Sequence, residues 1–167
     1  ADNTDVALDE AVSNITVTDE SVNAATGVKL DMIERDAANI DNIDFKVIDS
    51  AENIASELMV TGASLDNADS VSAVGGIVSA SEAEAIQGVA NYDASLSGYT
   101  IADSSDALVN GMGAIAAVFD SGVSEVLVTD VVDVTTGVEL SSVNDSQTEV
   151  SFEVAGKSEM ILINVSM

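Results

Sequence analysis

The sequence predicts an α/β fold: a solenoid-like stack of strand-helix repeats with a mainly parallel sheet and antiparallel C-terminal strands. Three observations predict it. First, Phe45-Lys46-Val47-Ile48-Asp49-Ser50-Ala51-Glu52-Asn53-Ile54 reads as a short strand, an Asp stop and a helix. It returns 54 residues later as Tyr99-Thr100-Ile101-Ala102-Asp103-Ser104-Ser105-Asp106-Ala107-Leu108. A fixed period of this size is the mark of repeat architecture. Second, Val17-Thr18-Asp19 returns as Val128-Thr129-Asp130, and Thr26-Gly27-Val28-Lys29-Leu30 as Thr136-Gly137-Val138-Glu139-Leu140, about twice as far away. Ile77-Val78-Ser79-Ala80-Ser81-Glu82 lies midway, with Ser in place of Asp. The chain therefore alternates two related units of roughly 25–30 residues, the size of one repeat. Third, 47% of the residues are hydrophobic but only 3% are aromatic, so the core is thin and built of small aliphatic side chains, as stacked repeats require.

Taken in order, residues 1–13 read as an acidic N-terminal arm. Residues 14–149 read as the repeat domain and 150–167 as C-terminal strands suited to subunit docking. Asn14–Thr18 alternates and is β-branched, so it predicts a strand. Gly27–Leu30 predicts a second short strand. Met32, Ile33, Ala37 and Ile40 carry helical spacing within 31–40. Phe45–Ile48 predicts a strand and Asp49–Met59 a helix with one apolar stripe, opened by Asp49 and Glu52. Thr61–Val74 is rich in Ser, Asp and Asn and predicts a loop. Gly75-Gly76 then leads into a strand at Ile77-Val78, and Ser79 with Glu82 forms a capping box for a helix to about Ala90. Tyr99–Ala102 predicts a strand, and Asp103 caps a helix carrying Leu108, Met112, Ile115 and Phe119 on one face. Strands are predicted at Glu125–Thr129, Thr135–Leu140, Val150–Val154 and Met160–Val165. The last is apolar and would leave an open sheet edge, either closing the chain's own sheet or docking another subunit.

Charge excludes whole classes of partner. Thirty Asp and Glu face four Lys and Arg, a net charge of −26. Nucleic acid and anionic membrane surfaces are repelled, and no apolar run is long enough for membrane insertion. The chain is still aliphatic enough to fold (mean hydropathy +0.30), unlike disordered acidic tails. Its self-repulsion is screened at about 0.5 M salt, where the Debye length is about 4 Å, so a saline or marine, extracellular or cell-surface setting is expected. There is no Cys and no His, hence no disulfide, thiol or imidazole chemistry. The chain begins at Ala1, as expected of a processed product or of a piece of a longer protein. No Gly-x-Ser-x-Gly, P-loop or Rossmann fingerprint is present, and no carboxylate pair stands out among thirty acids, so no enzyme activity is expected.

The acids themselves offer two readings. Asp19, Asp49, Asp103 and Asp130 each follow a predicted strand and would line up at one end of a sheet in register. Such a row either binds cations or caps the helices that follow, and Ser79 in the middle unit favours capping. Denser loop clusters place Asp41 with Asp44, Asp66 with Asp69, and Asp130 with Asp133. These six are the candidate metal ligands, and the cation they suit is Ca²⁺, which takes several carboxylate and carbonyl oxygens. The EF-hand loop and the Gly-Gly-x-Gly-x-Asp nonapeptide are both absent.

The units Phe45-x-Val47-x-Asp49-Ser50-Ala51-Glu52-Asn53-Ile54 and Tyr99-x-Ile101-x-Asp103-Ser104-Ser105-Asp106-Ala107-Leu108, with the strand Val126-Leu127-Val128-Thr129-Asp130, resemble repeat modules of large secreted bacterial surface proteins: cyanobacterial and proteobacterial adhesins, S-layer-like and RTX-associated exoproteins. The resemblance spans about residues 14–140. It implies a structural or adhesive extracellular role and carries over no catalytic residue. The expected function is a non-catalytic, self-assembling subunit or module of a surface layer, filament or adhesin, forming a homo-oligomer or polymer through its ends. The alternative is a calcium-dependent adhesin module that binds glycans or surfaces.

Overall fold

A computed structural model describes residues 14–37, 40, 42–110, 121–143 and 149–155. Helix α1 (Ala24–Asp36) is followed by β1 (Lys46–Asp49), α2 (Ala51–Leu58), β2 (Ser70–Val78), α3 (Ala80–Gln87), β3 (Gly98–Asp103), α4 (Ser105–Asn110), β4 (Val123–Val132), α5 (Val134–Val143) and β5 (Glu149–Val154). A short 3-10 turn spans Ala94–Leu96. The five strands form one sheet in chain order, β1-β2-β3-β4-β5, and every pairing is parallel. An isolated parallel bridge from Val22 to Val47 adds a vestigial strand ahead of β1. A right-handed crossover between parallel neighbours always lays its helix on the same side. Accordingly α1 packs on α2, α2 on α3 and α4 on α5.

The core lies between that helical layer and the sheet. Val47 sits opposite Val71, and Ile101 lies between Val78 and Val126, which in turn faces Val150. All six are essentially buried. β-branched side chains in register suit a pleated, buried face. From the helical side, each early helix opens on a buried alanine, Ala24, Ala51 or Ala80, followed by Val28, Ile54 or Ile86. The alternation of the strands leaves Ile48, Val74 and Ile77 exposed.

This arrangement corrects the expected solenoid-like stack with antiparallel C-terminal strands. The described residues form a single all-parallel five-stranded sheet with five α-helices, and β5 runs parallel to β4. The physical reason is the misreading of Thr135–Leu140. Read as a strand, it makes its neighbour return antiparallel. It is in fact inside α5, and a helical crossover brings the chain back in the same direction. Gly27–Leu30 is likewise inside α1 rather than a strand. Asn14–Thr18 has no ladder pairing among the described residues. β2 starts at Ser70, inside the expected loop, and runs through Gly75-Gly76. The expected arm at 1–13, the strand at Met160–Val165 and the helical residues Met112, Ile115 and Phe119 lie outside the described residues.

The two glycine pentads explain themselves in three dimensions. A Cβ on Gly27 would lie 2.6 Å from Val47 Cγ2, and one on Gly137 would lie 3.2 Å from Phe152 Cε2. Each glycine lets its helix sit close on the strand that follows. Their helices share a cap as well. Asn23 Oδ1 accepts from the Thr26 N–H at 2.9 Å, and Asp133 Oδ1 from the Thr136 N–H at 2.8 Å.

Candidate functional site

Five helix starts are capped by residues 25 to 29 apart: Asn23, Ser50, Ser79, Ser104 and Asp133. Short polar side chains at these places accept first-turn N–H groups that the helix itself leaves unpaired. Ser79 and Glu82 form the complete reciprocal box foreseen from the sequence. The residue before each cap alternates in kind: Val22, Asp49, Val78, Asp103, Val132. That alternation is the origin of the 54-residue period. Ser79 thus matches Ser50 and Ser104, and Val78 takes the place of Asp.

The carboxylates at the strand ends point backward, to the preceding unit. Asp49 Oδ2 accepts from the N–H of Ala24, the first residue of α1, at 3.0 Å, and Oδ1 accepts from Ser50 N–H at 2.8 Å. Asp103 repeats this: Oδ2 accepts from Ala80 N–H, the first residue of α3, at 3.0 Å, and Oδ1 from Ser104 N–H at 2.8 Å. The two remaining junctions use bulges. β2 carries an extra residue between Val74 and Ile77 relative to β3, and there Ile77 N–H donates to Glu52 Oε1 of α2 at 2.7 Å. Gly76 has φ +94°, and a Cβ on it would overlap the Glu52 carboxylate, so glycine is required for this approach. β4 carries extra residues between Leu127 and Val131 relative to β5, and there Asp130 accepts from Ser105 N–H at 2.6 Å and Ser105 Oγ at 2.8 Å. Every helix from α1 to α4 is therefore tied near its N-terminus to the next strand.

These contacts set the electrostatics. Partial burial raises the Asp49 pKa, but the Asn53 side-chain amide and the N–H groups of Ala24 and Ser50 outweigh it and hold the carboxyl below its ordinary 3.8. Glu52 is lowered by the Ile77 N–H, Asp130 by the Ser105 N–H and hydroxyl, and Asp133 by the Thr136 N–H and hydroxyl. Carboxylates that receive two or three N–H or O–H donors stay ionised and stabilise the positive ends of helices. They have little basicity left for proton transfer.

The six candidate metal ligands are not brought together. Asp44 accepts from the Asn42 side-chain amide. Asp66 Oδ1 accepts from Ala90 N–H at 3.2 Å, and the Asp69 N–H donates to Phe45 O at 2.8 Å. Asp130 and Asp133 serve two different helices, α4 and α5. Asp41 lies outside the described residues. Among the described residues no three acidic side chains converge on a point that would hold a metal ion. The sequence reading had missed Asp31, a buried carboxylate on α1. Its Oδ1 accepts from Asn67 N–H at 3.0 Å, and Arg35 Nη1 lies 3.5 Å from Oδ2. Arg35 also donates to Gly62 O at 3.2 Å, so this pair pins the loop between α2 and β2 to α1. The only sequence signal was an Asp-Arg spacing of four on a helix.

No helix among the described residues is long and apolar enough to cross a membrane. Comparison with protein-family models, with curated proteins and with solved structures finds no match to this chain.

Proposed function

We propose that this chain is a non-catalytic extracellular structural protein, a self-assembling subunit or module of a surface layer, filament or adhesin, of the kind found in large secreted bacterial surface proteins. The observation that carries this reading is the uniformity of its internal junctions. From α1 to α4 each unit meets the next through parallel strand pairing and a link near a helix N-terminus, and the step to β5 is made by parallel pairing. Contacts of the same kind between chains need no new chemistry, and a terminal unit has one neighbour fewer than an internal one. The charge of −26 supports a saline setting, where repulsion between copies is screened. Divalent cations such as Ca²⁺ bridge the acidic surfaces of neighbouring copies in this picture.

Negative-stain electron microscopy and sedimentation of the purified chain in about 0.5 M salt, with Ca²⁺ and then with chelator, test it. Filaments or sheets are expected, and their loss in chelator assigns the bridging role to the cation. Single small particles in both conditions refute assembly.

A further inference from the structure

We infer that the segment Asn14–Val22 and the outer edge of β5 are the two halves of one head-to-tail junction, each occupied by a second copy of this chain. The inference rests on the assembly reading above and names the surfaces that carry it. Ile15 and Val17 are half-buried against the core, while Asn14, Thr16 and Thr18 are exposed, which is the alternation of a strand. Yet only Val22 pairs, donating its N–H to Lys46 O at 2.8 Å and accepting from Ile48 N–H at 3.1 Å. Asn14–Ser21 make no hydrogen bond to any described residue.

The rest of the chain shows what belongs beside this segment. Val17-Thr18-Asp19 and Val22-Asn23 match Val128-Thr129-Asp130 and Val132-Asp133 of the β4 unit. β4 is paired on both edges, with β3 before it and β5 after it. Val22 faces Val47 of β1 as Val132 faces Val154 of β5, so the following place is filled. The preceding place, β3's place, is empty among the described residues. β3 belongs to a unit of the aspartate kind, and so does β1. By its order in the sheet β5, which follows the valine-type unit of Val132 and α5, stands in that position, although the sequence has Gly156 where β1 and β3 have Asp49 and Asp103, and its outer edge pairs with no described strand. Asp130 receives Ser105 across the β3–β4 junction. Its counterpart Asp19 is exposed and accepts from no described donor, as an acceptor awaiting the preceding unit would be. Addition of a parallel strand to an open edge is an established mode of association. Because the two surfaces differ, the contact is heterologous and propagates as a linear polymer rather than closing as a two-fold dimer.

The test uses the whole chain at about 0.5 M salt. The Thr16→Pro/Thr18→Pro variant changes two exposed residues and removes edge donors. It is expected to keep the wild-type melting temperature while its association constant falls at least about tenfold, ~1.4 kcal/mol. A synthetic peptide of residues 14–23 in excess is expected to shorten wild-type polymers by occupying the β5 edge, whereas a scrambled peptide leaves them unchanged. If the wild type polymerises and neither the variant nor the peptide alters it, this junction is wrong although the assembly reading stands. If the wild type sediments as a monomer throughout, both fall.

Discussion

Asp49 and Asp103 send a carboxylate back to the preceding helix, whereas Val78 and Val132, at the equivalent place before the cap, turn an aliphatic side chain into the core. Units of the two kinds alternate along one sheet, so each aspartate-type strand closes the helix of a valine-type unit behind it. The valine-type strands, β2 and β4, make the reciprocal link through bulges, by Ile77 to Glu52 and by Asp130 to Ser105. A polar and an apolar solution to the same junction thus coexist in one chain. The same end of the sheet needs hydrogen bonds to a helix start at one step and buried volume at the next.

Exchanging the two solutions gives the largest expected effect. Val78 is 3% exposed, and Val78→Asp puts a charged carboxylate into a buried apolar place, costing ~3 kcal/mol or more. Urea unfolding measures it, and a cost below ~1 kcal/mol shows that the two positions are interchangeable. Removing the polar solution comes next. Asp49→Ala and Asp103→Ala each strand two backbone N–H groups, and about 2 kcal/mol of stability is expected to go with either. Asp49 is the costlier, since Asn53 also donates to it at 2.8 Å. Equal losses from both, measured by the same unfolding curves, discount the Asn53 contact.

The glycine pair sharpens the comparison between the two end helices. Gly27→Ala drives a methyl into Val47 and costs about 1–2 kcal/mol despite better helix propensity. At Gly137 the nearest atoms are 3.2 and 3.4 Å from a new Cβ, and the change stays within about 0.5 kcal/mol of neutral. Thermal melts of the two variants separate these outcomes, and equal shifts contradict the closer seat of α1.

The smallest effect per group is that of pH. Asp49, Glu52, Asp130 and Asp133 have folded pKa values below their unfolded ones. Their stabilisation is present above the unfolded value, about 4, and disappears as pH falls through the folded values. Self-repulsion works the other way. Lowering the net charge of −26 by mild acid relieves it at low salt. Stability is therefore expected to rise gently and then fall below about pH 4, and high salt should flatten only the first limb. Melting temperature against pH at two salt concentrations checks this.

The strand-helix alternation and the capping box at Ser79 were readable locally, because a cap is written within four residues of its helix. The destination of the carboxylates was not. Asp49 and Asp103 look like caps of the helices that follow, but the caps are the next residues, Ser50 and Ser104, and each aspartate instead bonds a helix start 23 to 25 residues upstream. The pentads around Gly27 and Gly137 carry the β-branched residues and glycine of a strand end, and local preference is outweighed there by the close seat each helix finds on its strand. Ser70–Ala73 reads as loop because Ser has little strand preference, but Ser72 and Ala73 are buried in a strand held by β1 on one edge and by Tyr92 and Gly98 on the other.

The residues alone fix the two-unit period, the capping box at Ser79, the extreme negative charge and the lack of thiol and imidazole chemistry. All of these are properties of residue identity and spacing. Only the tertiary structure decided that every strand runs parallel, that the first and last helices sit on glycine, and that the strand-end acids tie one unit to the unit before. Those outcomes depend on which segments lie side by side, some 25 residues apart, and no propensity confined to a few neighbouring residues reaches that far.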